Sequence, residues 1–461
     1  MIDDVGDIGR ESAMTPVSSA AAARQRCAGC GRELPISASQ VQCAECGGLL
    51  EIVHPAPARD GAELRDEWDA RLHAHAGEGS AASSGVWRFG DVILPVALDQ
   101  LVSHPEGNTP LLARAAIAEW SGIERIAMKH EGHNPTGSFK DRGMTVAVTH
   151  ARGVGAAGLV CASTGNTSSS LASYAAHAGI PAVVLVPAGQ VAAGKLAQAL
   201  AYGARTLLVR GDFDDCLRLV REASERLGLY LVNSLNPFRL EGQKTIVMEL
   251  LQQRRWEVPD WIVLPAGNLG NTAAFGKALR ELREWGVIGR VPRIAAVQAA
   301  GAAPFAQSFA GGFRERHRVV AHTVASAIRI GDPASYERAV RTIRETNGVV
   351  LAVSDEEIME AKAVVDASGV GCEPASAASV AGARALRRSG EIRAGDDVVA
   401  VLTGHILKDP GIITDYHRSA ARPSEERPLA NPPVEIDATL AAVAGALESG
   451  ARAHRPRSPE R

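Results

Sequence analysis

A regular alternation of short apolar segments with amphipathic ones, from about residue 86 onward, restricts the fold of this chain more than any other feature. The apolar segments read GLVCAST, AVVLVP, TLLVRG, LYLVNS, WIVLPAG, RIAAVQA and DVVAVLTG. Between them lie segments such as FDDCLRLVREASERLG and EGQKTIVMELLQQ, in which apolar residues recur at helical spacing. This alternation indicates mostly parallel sheets that are covered by helices on both faces. The sequence therefore predicts an α/β fold.

Length and charge limit the classes of protein to consider. At 461 residues the chain is long enough for two or three domains of roughly 150 residues each. The formal net charge of −3 gives no electrostatic reason to expect nucleic acid or an anionic membrane as a partner. No apolar run approaches the roughly 20 residues of a membrane-spanning helix, and the start MIDDVGDIGR lacks the apolar part of a secretory signal. We therefore expect a cytoplasmic protein with no nucleic-acid and no membrane partner.

Four of the seven cysteines lie close together, in two CxxC pairs separated by twelve residues. They are Cys27, Cys30, Cys43 and Cys46. Such pairs present four thiolates tetrahedrally, which suits a structural zinc ion without an open position for chemistry. An iron site or thiols without a metal are the alternatives. A disulfide framework would suit a small secreted domain instead.

The composition changes along the chain and suggests its organisation. Residues 1–23 are rich in Ser, Ala and Gly, and we expect them to be disordered. A zinc ribbon is expected at 24–54 and a linker at 55–85. The alternating pattern places the catalytic domain at 86–450, and the polar end at 451–461 is expected to be a disordered tail.

One lysine occupies a position typical of a binding site. In EGHNPTGSFKDRG, Lys140 follows a turn-rich loop and opens a helix, just after a buried strand. We expect Ser138 to cap this helix and Asp141 to reach back to it, which is the capping-box pattern. Open α/β sheets bind ligands at the carboxyl ends of their strands. Lys140 is therefore a site candidate, although a surface lysine in a first helical turn is the common alternative.

Polar loops follow three other predicted strands. GNLGN at 267–271 leads into a helix and can cradle a small phosphate, or it can be an ordinary turn. STGNTSSS at 163–170 can bind a carboxylate through hydroxyls and backbone amides, or it can be a Ser/Thr-rich cap. Thr403 follows the last strand and can be a turn residue. A lysine, a phosphate cradle and a carboxylate-binding loop together fit pyridoxal phosphate held as a Schiff base and an amino-acid substrate.

The motifs together resemble a known family. NPTGSFKDRG, STGNTSSSLASYAAHAG, VNSLNPFRLEGQKT, PAGNLGN, SAIRIGDPAS, GCEPASAAS and TGHILKDP look like threonine synthase, from about residue 86 to about 444. This family belongs to the fold-type II pyridoxal-phosphate enzymes, which are related to tryptophan synthase β, and some members carry a zinc-ribbon-like N-terminus. The resemblance implies two open, twisted, mostly parallel α/β subdomains beside the ribbon, and a homodimer.

The resemblance also assigns cofactor-binding residues. It implies that Lys140 forms the Schiff base with pyridoxal phosphate, that Asn166 contacts the ring hydroxyl and that Thr403 faces the pyridine nitrogen. The cofactor phosphate would be held by Gly267, Asn268, Leu269, Gly270 and Asn271.

The substrate residues follow from the same resemblance. Thr164 and Thr167 would bind the substrate, and Lys195, Asn233 and Arg239 would form a second anion site for its phosphate. The chain departs from the family motif at Ile406, where glycine is usual, and at Asp332, where asparagine is commoner.

The implied activity is the conversion of O-phospho-L-homoserine and water to L-threonine and phosphate. The alternatives are a threonine or serine dehydratase and a cysteate-synthase-like β-replacement enzyme. A dehydratase needs no site for a substrate phosphate, whereas a cysteate-synthase-like enzyme would keep one. A non-catalytic zinc-ribbon binding module with a degenerate enzyme domain is a fourth interpretation, and the presence of Lys140 argues against it.

Overall fold

A computed structural model of the chain describes residues 23–74, 80–189, 193–418, 427 and 429–453. The strands are β1 (Arg24–Cys27), β2 (Glu33–Pro35), β3 (Leu50–Val53), β4 (Leu111–Leu112), β5 (Arg125–His130), β6 (Leu159–Ala162), β7 (Ala182–Pro187), β8 (Arg205–Val209), β9 (Tyr230–Leu231), β10 (Trp261–Pro265), β11 (Arg293–Ala299), β12 (Val349–Val353) and β13 (Asp397–Leu402). The helices are α1 (Gly61–Ala74), α2 (Ala115–Ser121), α3 (Lys140–Gly153), α4 (Asn166–Ala178), α5 (Ala193–Ala201), α6 (Phe213–Leu227), α7 (Pro237–Gln253), α8 (Gly270–Glu284), α9 (Pro304–Ala310), α10 (Tyr336–Glu345), α11 (Asp355–Ala367), α12 (Pro374–Arg388), α13 (Pro410–Arg418) and α14 (Leu440–Ala453).

Three sheets organise these elements. The ribbon is a three-stranded antiparallel sheet of order β2-β1-β3. A six-stranded sheet has the order β12-β11-β10-β13-β5-β4, and all its pairs are parallel except β4 with β5. A four-stranded sheet has the order β8-β7-β6-β9, and its pairs are all parallel. The predicted pair of mostly parallel α/β units is therefore confirmed.

The burial of the strands explains why the alternating pattern was informative. All residues of β6 and β10 are buried, because helices cover both faces of the sheets there. The edge strand β8 is largely exposed and carries Leu207 and Leu208 on its surface. The apolar strands are thus central strands, and the weaker pattern of TLLVRG belongs to a sheet edge.

The ribbon contacts both α/β units. On the side of the six-stranded sheet, Arg338 of α10 donates to the Leu50 carbonyl oxygen at 2.6 Å and Lys277 of α8 donates to the Ile52 carbonyl oxygen at 2.7 Å. On the other side, His150 of α3 lies 2.9 Å from the Ile36 carbonyl oxygen, and Val41 packs against the core of the four-stranded unit. The ribbon therefore bridges the two units.

The segment 55–85 differs from the expected linker. It contains the helix α1, whose Leu64 and Trp68 are fully buried in the main hydrophobic core. The Trp68 ring lies 5.3 Å from the Phe89 ring and 5.7 Å from the Trp256 ring. The Pro and Gly residues around HPAPARDGAE suggested a linker, but they only flank this packed helix.

The two tails predicted to be disordered lie mostly outside the described residues. At their edges the structure differs from the prediction, since Ala23 is buried beside β1 and residues 451–453 continue α14. Among the helices that the structure describes, none is long and apolar enough to cross a membrane.

Candidate active site

A cleft of about 2360 Å³ lies where the loops of the two α/β units meet. Its walls include the residues that follow β5, β6, β10 and β13, which are four carboxyl ends of parallel strands. The predicted residues Lys140, Asn166, Asn268 and Thr403 all line it. The structure therefore brings the polar loops found in the sequence into one site.

The start of α3 is built differently from the predicted capping box. The helix begins at Lys140 after the N-cap residue Phe139, which makes no side-chain cap, and the Ser138 hydroxyl oxygen accepts only a long hydrogen bond of 3.4 Å from the Lys140 amide. Asp141 accepts hydrogen bonds from the backbone amide of Thr136 at 2.7 Å and its hydroxyl at 2.6 Å, and from the Ser170 hydroxyl at 2.6 Å. The capping box was wrong because Asp141 binds the preceding loop and α4 instead of Ser138. This carboxylate thereby fixes the loop that carries Lys140.

The Lys140 amine has an unusual environment. The residue opens onto the cleft and is half-buried, and its side-chain nitrogen lies 3.9 Å from the centre of the Phe139 ring. Burial lowers the pKa of Lys140 to about 7, with help from the positive charge of Arg239 and against the opposing charge of Glu373. A large fraction of the amine is therefore neutral near pH 7, so it can act as a nucleophile or base.

A buried ion-pair network lies below this loop. Arg142 donates to Glu131 at 2.6 Å and to Glu249 at 2.8 Å, and Lys129 donates to Glu249 at 2.5 Å. All four side chains are fully buried. The positive charges hold the pKa of Glu249 well below its usual range, although burial alone would raise it. Since breaking one partner would leave an unpaired buried charge, this network holds β5, α3 and α7 together at the site.

The GNLGN segment forms a tight turn against the cleft. Leu269 has a left-handed φ of 62° and precedes α8, which starts at Gly270. A Cβ atom on Gly267 would come within 2.9 Å of the Ile328 Cα atom. The Asn268 amide group donates to the Ser234 hydroxyl and accepts from the Ala334 amide, both at 2.7 Å. The turn is therefore rigid, and the first N–H groups of α8 open toward the cleft.

The hydroxyl-rich segment is used in two ways. Ser168 donates to the Gly165 carbonyl oxygen at 2.7 Å, and Ser170 is bound to Asp141. Thr164 and Thr167 are half-buried and line the cleft at the start of α4. Ser168 and Ser170 are thus engaged within the protein, whereas Thr164 and Thr167 are among the residues of the segment that face the cleft.

One residue of the cleft wall, Glu373, was not predicted from the sequence as a site residue. Glu373, which precedes α12, accepts from the Asn166 amide at 3.0 Å and from the Thr403 hydroxyl at 3.2 Å. It lines the cleft and is 4% exposed. Glu373 lies in the motif GCEPASAAS, directly before the proline that starts α12. An acidic residue in that position could have identified Glu373 as a site candidate from the sequence.

Arg239 is buried beside the cleft with unused hydrogen-bond donors. It is 1% exposed, and its Nη1 donates to the Val232 carbonyl oxygen at 3.1 Å. Its Nε and Nη2 have no partner among the described residues. Burial lowers the pKa of this guanidinium to about 10, so it remains charged near neutral pH. A buried cation with free donors at a cleft is suited to an anion.

The other two residues of the predicted anion site are less free. The Asn233 amide exchanges two hydrogen bonds with the backbone of Ala162, at 2.9 and 3.0 Å, which leaves one of its N–H groups for a ligand. Lys195 belongs to α5, but its side chain lies outside the described part of the chain.

The four clustered cysteines face one another in the ribbon. Their sulfur atoms all lie within 4.8 Å, with 3.4 Å between Cys27 and Cys46 and 3.7 Å between Cys30 and Cys43. The adjacent Gly29 and Gly48 line the cleft. The cysteine loops therefore form part of the wall of the candidate active site.

The two departures from the family motif have different surroundings. Ile406 packs over Gly371. A Cβ atom added to Gly371 would lie 3.2 Å from the Cδ1 atom of Ile406. Asp332 lines the cleft and forms ion pairs with Arg316 and Arg318. Only Asp332 therefore changes the charge of the cleft wall.

Comparisons with known proteins agree with this geometry. Residues 102–404 match the family described as pyridoxal-phosphate dependent enzyme. The chain is 42% identical over 424 residues to threonine synthase of Methanosarcina acetivorans, covering 92% of this chain and 98% of that protein. It is 39% identical to chloroplastic threonine synthase 2 of Arabidopsis thaliana over 88% of this chain and 80% of the relative.

Solved structures show the same fold. Threonine synthase from Escherichia coli has a TM-score of 0.65 at 19% identity and covers 93% of this chain and all of its own length. Maize serine racemase has a TM-score of 0.59 at 21% identity, with 77% of this chain and 96% of that chain covered. The fold is thus shared by several activities, whereas the sequence relatives are specific: the chain belongs to the threonine synthase family of pyridoxal-phosphate dependent enzymes.

Proposed function

We propose that this chain is a threonine synthase, which converts O-phospho-L-homoserine and water to L-threonine and phosphate by γ-elimination and addition of water at Cβ. The observation that carries this proposal is the buried Arg239 guanidinium, with free Nε and Nη2, beside the same cleft as Lys140. A dehydratase has no substrate phosphate that would justify the cost of a buried, partly unpaired cation. The close sequence relatives support the same activity.

The residues present fit pyridoxal phosphate. The GNLGN turn offers the N-terminus of a 15-residue helix to a phosphate, and the buried Thr272 hydroxyl, a possible donor, has no partner among the described residues. We assign the phosphate of the cofactor to Gly267, Asn268, Leu269, Gly270 and Asn271. Asn166 and Thr403 would contact its ring, and Lys140 would hold it covalently. When bound, the cofactor supplies an electron sink for charge that develops on the substrate.

The chain's own groups supply the acid–base chemistry and the binding. The Lys140 amine, with its pKa of about 7, can accept the proton from the substrate Cα atom near neutral pH. Thr164 and Thr167, at the start of α4, would hold the substrate carboxylate, because hydroxyls and free helix N–H groups suit an anion. Arg239, with Asn233 and Lys195, would hold the substrate phosphate until it leaves.

The activity can be tested directly with purified protein loaded with pyridoxal phosphate. O-phosphohomoserine should yield equal amounts of phosphate and threonine. Phosphate release from phosphoserine instead would support a cysteate-synthase-like β-replacement enzyme. Conversion of threonine or serine to an oxo acid without phosphate chemistry would support a dehydratase.

We further propose that the four cysteines hold a structural zinc ion. Four thiol ligands without another donor match a closed zinc site, and the cluster lies within a sheet too small to be stable alone. A Cβ atom on Gly48 would lie 2.8 Å from the Cys27 sulfur, so the loop is already closed around the cluster.

Replacing Cys43 with serine should release the metal and loosen the ribbon. About 30 residues cannot bury enough apolar surface to stay folded without a crosslink or metal. We expect stoichiometric zinc in the natural protein, loss of most of it in Cys43→Ser, and faster amide hydrogen exchange across residues 24–54. Cys216→Ser is the matched control, because Cys216 is buried in the four-stranded unit and should leave the zinc content unchanged. Full zinc content in Cys43→Ser would contradict this ligand set.

The homodimer and the cytoplasmic location stay predictions from the sequence. Sedimentation of the purified protein tests the first of them.

A further inference from the structure

Among the residues that the structure describes, Glu373 is the one carboxyl that hydrogen-bonds to both Asn166 and Thr403, the two residues proposed to contact the cofactor ring. Its Oε2 accepts from the Asn166 amide nitrogen at 3.0 Å, and its Oε1 lies 3.2 Å from the Thr403 hydroxyl oxygen. These partners come from α4 and from the end of β13, which belong to different α/β units. Neither the sequence motifs nor the proposed activity gives this carboxyl a role.

The position of Glu373 is fixed by its surroundings. Its backbone amide donates to the Gly404 carbonyl oxygen at 3.1 Å, and a Cβ atom on Gly404 would lie 2.4 Å from the Glu373 carboxyl carbon. Ser376 accepts from the Gly404 amide at 2.9 Å and lies 3.1 Å from the Thr403 hydroxyl oxygen. The carboxyl therefore cannot turn away without breaking several contacts.

The electrostatics favour the neutral acid. Burial raises the pKa of Glu373, and the hydrogen bonds from Asn166 and Thr403 and the charges of Lys408 and Lys140 oppose this shift without cancelling it. The preceding residue, Cys372, has a pKa raised by burial, so its thiol is uncharged near neutral pH. Glu373 is thus protonated at low pH and ionises as the pH rises.

The hydrogen bonds define where the acid proton lies. Because Asn166 donates to Oε2, the proton of neutral Glu373 lies on Oε1 and points to the Thr403 hydroxyl oxygen. Thr403 then accepts from Glu373, and its own proton is free to point into the cleft. When Glu373 is ionised, Thr403 donates to Oε1 and presents only a lone pair to the cleft.

We propose that Glu373 is a positioning residue that sets, through Thr403, whether the ring nitrogen of the bound cofactor is protonated. This inference rests on the proposed function, which places the ring nitrogen at Thr403. In one arrangement the proton is on Glu373 and Thr403 donates to the ring nitrogen. In the other arrangement, the proton of Glu373 has moved to the Thr403 oxygen, which breaks the O–H bond of Glu373. The original hydroxyl proton of Thr403 has moved to the ring nitrogen, where it forms one N–H bond. One proton is moved in total, and no other reactant is needed.

The ring nitrogen can be observed directly in protein loaded with isotope-labelled pyridoxal phosphate. We expect its NMR signal in the natural protein to titrate as the pH passes through the pKa of Glu373. In Glu373→Gln the amide oxygen can accept from Asn166 while its N–H donates to Thr403, which mimics the neutral acid at every pH. The signal of this variant should therefore stay constant, and kcat should fall on the order of 10²-fold, the usual scale of one proton-transfer group.

Two further variants complete the test. Thr403→Val keeps Glu373 but removes the hydroxyl that connects it to the ring, so its signal should also be constant, even if Glu373→Gln fails to fold. Glu106→Gln is the matched control, because burial raises the pKa of Glu106 too, it accepts from the Tyr174 hydroxyl at 2.8 Å and the Ser103 hydroxyl at 3.0 Å, and it does not line the cleft. This control should titrate like the natural protein.

The outcomes separate the relay from the proposed activity. A constant signal in the natural protein, or a titration that persists in Glu373→Gln or Thr403→Val, overturns the relay. These measurements need no substrate, so the relay can fail while threonine is still formed. Failure to form threonine from phosphohomoserine, in turn, overturns the proposed function without changing the ring-nitrogen signal.

Discussion

Replacing Lys140 with alanine is expected to abolish threonine formation, with a loss of at least about 10⁴-fold in kcat. The amine is proposed both to hold pyridoxal phosphate covalently and to accept the proton from the substrate Cα atom. Burial and the Arg239 charge lower its pKa to about 7, so a large fraction of the amine is neutral near pH 7. Phosphate release from phosphohomoserine measures the effect, and a circular dichroism spectrum shows whether the fold is kept.

The covalent link can be located independently of turnover. Borohydride reduction of the loaded protein, followed by peptide mass spectrometry, should find the cofactor on Lys140. Lys408→Met is the matched control, because Lys408 also lines the cleft and its pKa is also lowered by burial. Its Nζ donates to Gln198 at 2.5 Å, so the side chain is already engaged. Reduction should still label Lys140 in this variant, and label on any other lysine would refute the assignment.

The acidic limb of the pH profile should report the same amine. A lysine pKa lowered in the folded protein means that the neutral form is favoured, so the base is available above pH 7 and is lost as the pH falls through about 7.

The parts of the site that lie on loops were predictable from the sequence. Parallel strands end at the same edge of a sheet, so polar segments after several such strands must meet. Lys140, Thr164, Asn268 and Thr403 were found by this rule, and all four line the cleft. The pyridoxal-phosphate family and the fold class inferred from the motifs are confirmed by the sequence relatives and the shared fold.

Contacts between distant segments were not predictable in this way. The capping box at Ser138 and Asp141 satisfied a local rule, but Asp141 instead binds Ser170, which lies 29 residues away. Glu373 meets Asn166 across 207 residues of sequence. Local spacing contains no information about such pairs, so the residues that orient the predicted ones appeared only in the folded chain.

The position of the ribbon was likewise not predictable from local sequence spacing. Its cysteine spacing predicted four facing thiols, which the structure contains. Its position across the cleft depends on contacts such as that of the Leu50 carbonyl oxygen with Arg338, 288 residues away. Because Gly29 and Gly48 line the cleft, a change at the proposed metal site is expected to alter access to the active site, even though a zinc ion held by four thiolates would have no open position for chemistry.

The assignment of a phosphorylated substrate can be tested most directly at Arg239. Its guanidinium is fully enclosed, yet two of its nitrogen atoms have no acceptor among the described residues. An unpaired buried donor costs on the order of 1 to 3 kcal/mol. A bound phosphate dianion would remove this cost and accept two parallel hydrogen bonds from the guanidinium.

Arg239→Ala should therefore lose most activity on phosphohomoserine while it retains the cofactor. Loss of a charge-assisted contact with a desolvated dianion costs on the order of 2 to 4 kcal/mol, or roughly 30- to 1000-fold in kcat/KM. Cofactor binding should hardly change, because its phosphate is assigned to the separate GNLGN turn. The variant should stay yellow and still bind unphosphorylated amino acids, which absorption spectroscopy can follow.

A second effect of the same substitution must be separated from the first. The positive charge of Arg239 helps to lower the pKa of Lys140, so its removal should raise that pKa and move the acidic limb of the profile to higher pH. Well above the new pKa this contribution disappears, whereas the lost contact with phosphate persists. Arg239→Lys keeps a positive charge but lacks the planar pair of donors, and it should recover only part of the activity. If Arg239→Ala turned over phosphohomoserine normally at high pH, Arg239 would not hold the substrate phosphate, and the dehydratase interpretation would become the stronger one.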